Sequence, residues 1–127
     1  MMHGFAYDID HPADGKPTNV GDGNDDADDD ERDLYLSGPD RVWQLYVPAP
    51  PTREIDGDAL TVMASTAKAE QCRNFDTGGG AFLDSETARN GDKACLRTTE
   101  GNWAMIELID VPDDLADPVE VSVTLLR

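Results

Sequence analysis

The stretch Val119-Glu120-Val121-Ser122-Val123-Thr124-Leu125 alternates apolar and polar residues at a period of two, with Val119, Val121, Val123 and Leu125 facing one way. Such alternation is the mark of a β-strand with one face on a core and one in water. Upstream, Trp103 to Val111 is the most apolar run in the chain and is the best candidate for a central strand. Thr99-Glu100-Gly101-Asn102 separates it from a further strand over Lys93 to Thr98, which is entered through the turn Asn90-Gly91-Asp92. Three consecutive strands joined by turns point to an antiparallel sheet.

The pattern continues toward the N-terminus. Ala59 to Ala64 follows the turn Asp56-Gly57-Asp58 and reads as strand, and Ala81-Phe82-Leu83 forms a short one after Gly78-Gly79-Gly80. Between them, Thr66 to Gln71 favours one or two helical turns, the only helix expected, confined to about residues 65 to 73. Val42 to Val47 puts Trp43, Leu45 and Val47 on one side and stops at Pro48, Pro50 and Pro51. With Asp33-Leu34-Tyr35-Leu36 and the turn Ser37-Gly38-Pro39-Asp40 it makes a hairpin. Phe5 to Asp10 sets Phe5, Tyr7 and Ile9 on one face against Asp8 and Asp10 on the other, a half-buried strand. About eight short strands give an all-β, mainly antiparallel fold: one domain over residues 1–127, a β-sandwich or small barrel with at most one short helix. A long acidic loop is expected at about residues 11–32, where Pro12, Gly15, Pro17, Gly21 and Gly23 precede a charge run.

A chain of 127 residues supports one core. Its 39% hydrophobic content is low for a globular protein, yet too well patterned outside residues 10 to 33 for general disorder. The 27 acidic against 10 basic residues give a net charge of −17, which argues against direct nucleic-acid binding and against anionic membrane surfaces. No run approaches the ~18 apolar residues of a membrane helix, so no membrane insertion by this segment is expected. Met1-Met2-His3-Gly4-Phe5 has neither a basic nor an apolar leader region. An exported form is therefore expected to be a fragment lacking its targeting segment.

Residues 22 to 33 carry eight acids and one Arg, leaving −10 on the other 115 residues. Counting from Asp22, oxygen-bearing side chains fall at positions 1, 3, 5, 9 and 12 of a calcium-loop frame: Asp22, Asn24, Asp26, Asp30 and Asp33. Position 6 is Ala27 where the turn wants Gly, and position 12 is Asp where a bidentate Glu is usual. A solvated acidic loop explains the run equally simply, so no cofactor is expected beyond this calcium candidate.

Catalysis finds little support. The histidines are His3 and His11, both near the N-terminus, and neither is placed by the sequence beside a nucleophile. With 27 acids, some carboxylate pair will always lie at a catalytic separation, so that signal decides nothing. Gly78-Gly79-Gly80 lacks the Lys and Ser/Thr of a phosphate cradle. Arg97 and Trp103 are the ligand-binding candidates, Arg97 for a ligand carboxylate and Trp103 for stacking on a sugar. The competing readings are a surface Arg paired with acids and a core Trp.

Cys72 and Cys95 lie 23 positions apart without a CxxC or a His cluster, which argues against a zinc site. They are either a disulfide or two buried free thiols; the polar setting Gln71-Cys72-Arg73-Asn74 favours the disulfide. The run Gly91-Asp92-Lys93-Ala94-Cys95-Leu96-Arg97-Thr98-Thr99-Glu100-Gly101-Asn102-Trp103-Ala104, with Cys72 upstream, resembles small β domains of actinobacterial extracytoplasmic proteins. Those carry a cysteine followed by a G-x-x-x-C-hydrophobic-R-T-x-x-G-x-x-A pattern and are mostly of unknown function. The resemblance covers about the last 60 residues. It implies a Cys72–Cys95 bridge, a β fold and an address outside the membrane, and it carries over no catalytic residue. The expected function is a noncatalytic extracytoplasmic β domain, a ligand- or partner-binding accessory module of a larger envelope protein. The alternative is an acidic decoy that occupies the basic nucleic-acid site of another protein, with charge as its one support.

Overall fold

A computed structural model describes residues 1, 5–13, 15–22, 33–37, 43–48, 60–74, 82–112 and 117–126. The chain is all-β, with two antiparallel sheets and one short 3-10 turn among the described residues. The strands are β1 (Phe5–Ala13), β2 (Lys16–Asp22), β3 (Leu34–Ser37), β4 (Gln44–Tyr46), β5 (Leu60–Met63), β6 (Phe82–Asp84), β7 (Lys93–Arg97), β8 (Trp103–Asp110) and β9 (Glu120–Leu126). The first sheet runs β2-β1-β3-β4-β6 and the second β5-β7-β8-β9, every pairing antiparallel.

The period-two stretches are found where the sequence put them. Strand β9 buries Val121 and Val123 and exposes Glu120 and Thr124, and the apolar β8 is an interior strand between β7 and β9. Tyr7 and Ile9, Leu34 and Leu36, and Trp43, Leu45 and Val47 from the first sheet meet Leu60, Leu96, Ile106, Leu108, Val121 and Val123 from the second in one buried layer. At roughly 25 cal/mol per Å² of apolar surface withdrawn from water, this layer is the main stabilising term. The Trp43 indole Nε1 lies inside it without a hydrogen-bond partner. Each outer face has a smaller apolar cluster, with Tyr35 and Tyr46 edge to face on the first sheet and Ala67, Cys72, Cys95 and Met105 on the second.

Two expectations are corrected. Residues 11–13 and 16–22 lie in strands of a β1–β2 hairpin, so the loop expected at about 11–32 is strand over its first half. Strand β2 (KPTNVGD) has no apolar alternation to betray it; it is an edge strand held by backbone bonds to β1, and Gly15 at the hairpin tip accepts a bond from the Val123 N–H at 2.7 Å. Residues 23–32, and the expected turns at 38–40, 56–58 and 78–80, lie outside the described residues. The short helix is a 3-10 turn over Ala69–Asn74.

That turn is pinned to the second sheet by a Cys72–Cys95 disulfide, with both cysteines fully buried and their Cα atoms 5.2 Å apart. Closing a loop of this length in the unfolded chain is worth about 3 kcal/mol in the chain-entropy treatment. Replacing both cysteines by alanine is expected to lower the unfolding free energy by about that amount, read from urea denaturation, with the strand-rich far-ultraviolet spectrum retained.

Candidate functional site

Three aspartates converge where the two sheets meet. The β1–β2 register is irregular between Asp8 and Ala13, so β1 bulges there. Bulges bend a strand and re-aim its side chains. Within the bulge the Asp10 and His11 N–H groups both donate to Asp8 Oδ1, at 2.9 and 3.3 Å. Asp33 stands immediately before β3, and its N–H donates to Tyr7 O at 3.0 Å. β1 continues beyond the end of that ladder, and the Asp33 carboxylate takes over as acceptor there. Its Oδ2 accepts the Ile9 N–H at 2.8 Å and the Asp10 N–H at 3.2 Å.

From the second sheet, the β7–β8 turn closes on the same point. Thr98 and Asn102 are bridged by a backbone bond of 2.8 Å, and Gly101 sits at φ 84°, a conformation that favours glycine. The turn so formed aims its donors at the aspartates. Thr99 gives both its N–H and its hydroxyl to Asp33 Oδ1 at 2.7 Å each. Asn102 Nδ2 donates to Asp10 Oδ1 at 2.8 Å, and the Glu100 N–H to Asp10 Oδ2 at 3.3 Å. On the exposed side, His11 Nδ1 lies 2.8 Å from Asp8 Oδ2 and His11 Nε2 lies 3.8 Å from Glu100.

Asp8, Asp10 and Asp33 are all buried, and each offers an oxygen within 4.8 Å of the others. Removal from water pushes the Asp33 carboxyl up to about 6; the Asp10 charge adds to this, while the bonds from Thr99 and Ile9 oppose it. The hydrogen bond to Asp8, with the Asp8 charge, raises the His11 imidazole above its ordinary value. A hard cation takes oxygens at such spacing. Here protein donors already fill the positions named above, and the arrangement works as an inter-sheet clasp.

The sequence-selected residues are placed as follows. Asp33 belongs to this clasp. Asp22 is the last residue of β2, and Asn24, Asp26 and Asp30 lie outside the described residues. Arg97 and Trp103 are register partners across β7 and β8, the guanidinium lying over the indole 5.0 Å from the ring centre. Trp103 is half-buried, on the outer face of the second sheet. Its register partner on β9, Leu126, lines an open groove of about 470 Å³ with Glu70, Gln71 and Arg73 of the 3-10 turn. Asp8 and Asp10 were expected on a solvent face and are buried instead, because residue 33 and the 98–102 turn cover that face.

Comparison with protein-family models, with curated proteins and with solved structures gives no match.

Thr99 links the sheets at this point through two bonds to Asp33. Thr99→Val keeps the shape and the N–H bond but removes a hydroxyl that donates to a carboxylate, an interaction worth about 1.5–3 kcal/mol. The expected loss, measured by chemical denaturation at pH 7, is about 2 kcal/mol. Thr99→Ser should recover most of it.

Proposed function

We propose that this chain is a noncatalytic extracytoplasmic binding module, an accessory domain of a larger envelope protein, and that the outer face of its second sheet carries the ligand. The observation that carries this reading is the Arg97–Trp103 stack beside the groove lined by Glu70, Gln71, Arg73 and Leu126. The Cys72–Cys95 disulfide suits an oxidising compartment, and the resemblance of residues 71–104 to actinobacterial extracytoplasmic domains points the same way.

An acidic sugar matches the paired groups. Its carboxylate suits the planar fork of Arg97, and its ring suits the face of Trp103. The groove adds Gln71, Glu70 and Arg73 as polar side chains for hydroxyls. Tight specific sites combine an apolar surface with a few placed polar groups, and this face has both. The decoy alternative needs carboxylates displayed outward on rigid elements. Asp8, Asp10 and Asp33 are turned inward and offer nothing to such a partner.

The two tryptophans allow a direct test. Trp43 is fully buried in the core and Trp103 is half-exposed, so a Trp43→Phe background leaves Trp103 as the reporter. Uronate oligosaccharides at millimolar concentration are expected to change Trp103 fluorescence saturably, neutral oligosaccharides more weakly, and Arg97→Ala to abolish the uronate response. No response to either class would remove the ligand role from this face.

A further inference from the structure

We propose that the outer face of the second sheet takes two acidic sugars in succession, Arg97 receiving the carboxylate of one and Arg73 that of the next. This rests on the acidic-sugar reading of the Arg97–Trp103 face and adds a second anion contact to it.

The sequence places both arginines beside the disulfide. Arg73 follows Cys72 directly and Arg97 stands two residues after Cys95, while the bridge holds the cysteine Cα atoms 5.2 Å apart. At about 3.8 Å per residue step, the Cα atoms of the two arginines lie within about 17 Å of each other. Strand register fixes what lies between them. Arg97, Trp103 and Leu126 are successive partners across β7, β8 and β9, a row of about 10 Å at ordinary strand spacing. Leu126, at the far end, lines the groove together with Arg73. The row therefore runs from one arginine, past an indole and a leucine, to a groove lined by the other. A uronate carries one carboxylate, so a ligand that engages both arginines has two acidic units, one ring at Trp103 and the next in the groove.

Both arginines stand on anchored backbone. Arg97 belongs to β7, an interior strand, and the 3-10 turn is tied down by the disulfide, with Lys93 Nζ donating to Ala67 O at 2.9 Å just before it. Fixed anchor points lower the ordering cost of binding. Gln71 Oε1 accepts the Lys68 N–H at 2.7 Å, which leaves the Gln71 NH2 group as a donor for a sugar hydroxyl.

The chain as a whole carries −17 and repels an anion at long range. At physiological ionic strength that repulsion is screened beyond about 8 Å, so the charges next to the ligand decide. Beside the groove these are Arg73, Arg97 and Lys68 against Glu70, whereas Lys93 is already engaged by Glu107 at 3.5 Å. Glu70 stands three residues before Arg73 on the 3-10 turn, the spacing at which side chains eclipse. A guanidinium carries five N–H donors, enough for Glu70 and a ligand carboxylate together.

Calorimetric titration of the intact chain at physiological ionic strength, with galacturonic acid and with its α-1,4-linked dimer, tests this. The dimer is expected to bind roughly tenfold more tightly than the monomer, the worth of one added charge-assisted bond. Arg73→Gln should bring the dimer down toward the monomer, and Arg73→Lys, which keeps the charge but loses the planar fork, should fall between. Amide spectra check that each variant is folded. In nitrogen-15 spectra of the unsubstituted chain, the side-chain Nε–H signals of Arg73 and Arg97 should both shift as the dimer is added. A dimer that binds no tighter than the monomer, a dimer advantage that survives in folded Arg73→Gln, or an Arg73 Nε–H signal that stays in place overturns the proposal and leaves the single-uronate reading standing. Failure of monomer and dimer alike to bind removes that reading, and this proposal with it.

Discussion

The carboxylate of Asp33 receives four donors from two sheets: the Ile9 and Asp10 N–H groups on one oxygen, the Thr99 N–H and hydroxyl on the other. The shape of this end of the sandwich depends on that exchange. Where β3 starts, β1 runs past it with N–H groups that have no strand opposite, and a buried N–H without an acceptor costs about 1–3 kcal/mol. Asp33 supplies the acceptor as a side chain. The same carboxylate then fixes the distance to the β7–β8 turn, and with it the approach of the second sheet. The cost is a charge withdrawn from water beside that of Asp10, which is why its proton affinity rises.

Much of the architecture was legible because one-sided burial leaves a period-two trace. Strand β9, the β3–β4 hairpin and the apolar β8 all carry that trace in Val121 and Val123, in Leu34, Leu36 and Leu45, and in the run from Ala104 to Leu108. Strand β2 carried none. Its pairing with β1 rests on backbone hydrogen bonds along an edge, which leave no mark on side-chain type.

The clasp was hidden for a different reason. Asp8 and Asp10 occupy the positions at which an alternating strand normally meets water, and in a chain with 27 acids two more aspartates there carry no signal. What buries them is a register irregularity in β1 and a turn from the other sheet, neither of which is written in the local pattern. Asp33 was singled out as the end of a metal-binding frame in the acidic run; the contacts described for it are to β1 and the 98–102 turn, which that frame does not contain. The Arg97–Trp103 pair was legible as two separate candidates but not as a stack, because the register that pairs them depends on the length of the turn between β7 and β8.

The disulfide has a further consequence for how the chain is made. These 127 residues hold two cysteines, so within them a single pairing is possible, and closing it needs an electron acceptor but no shuffling of bridges inside the domain. Both sulfurs end beneath the 3-10 turn, out of reach of small thiols once the turn has docked. Attack on the bridge by a small thiol thus has to wait until the 3-10 turn lifts from the sheet, so the rate of reduction reads out the local opening of that one segment.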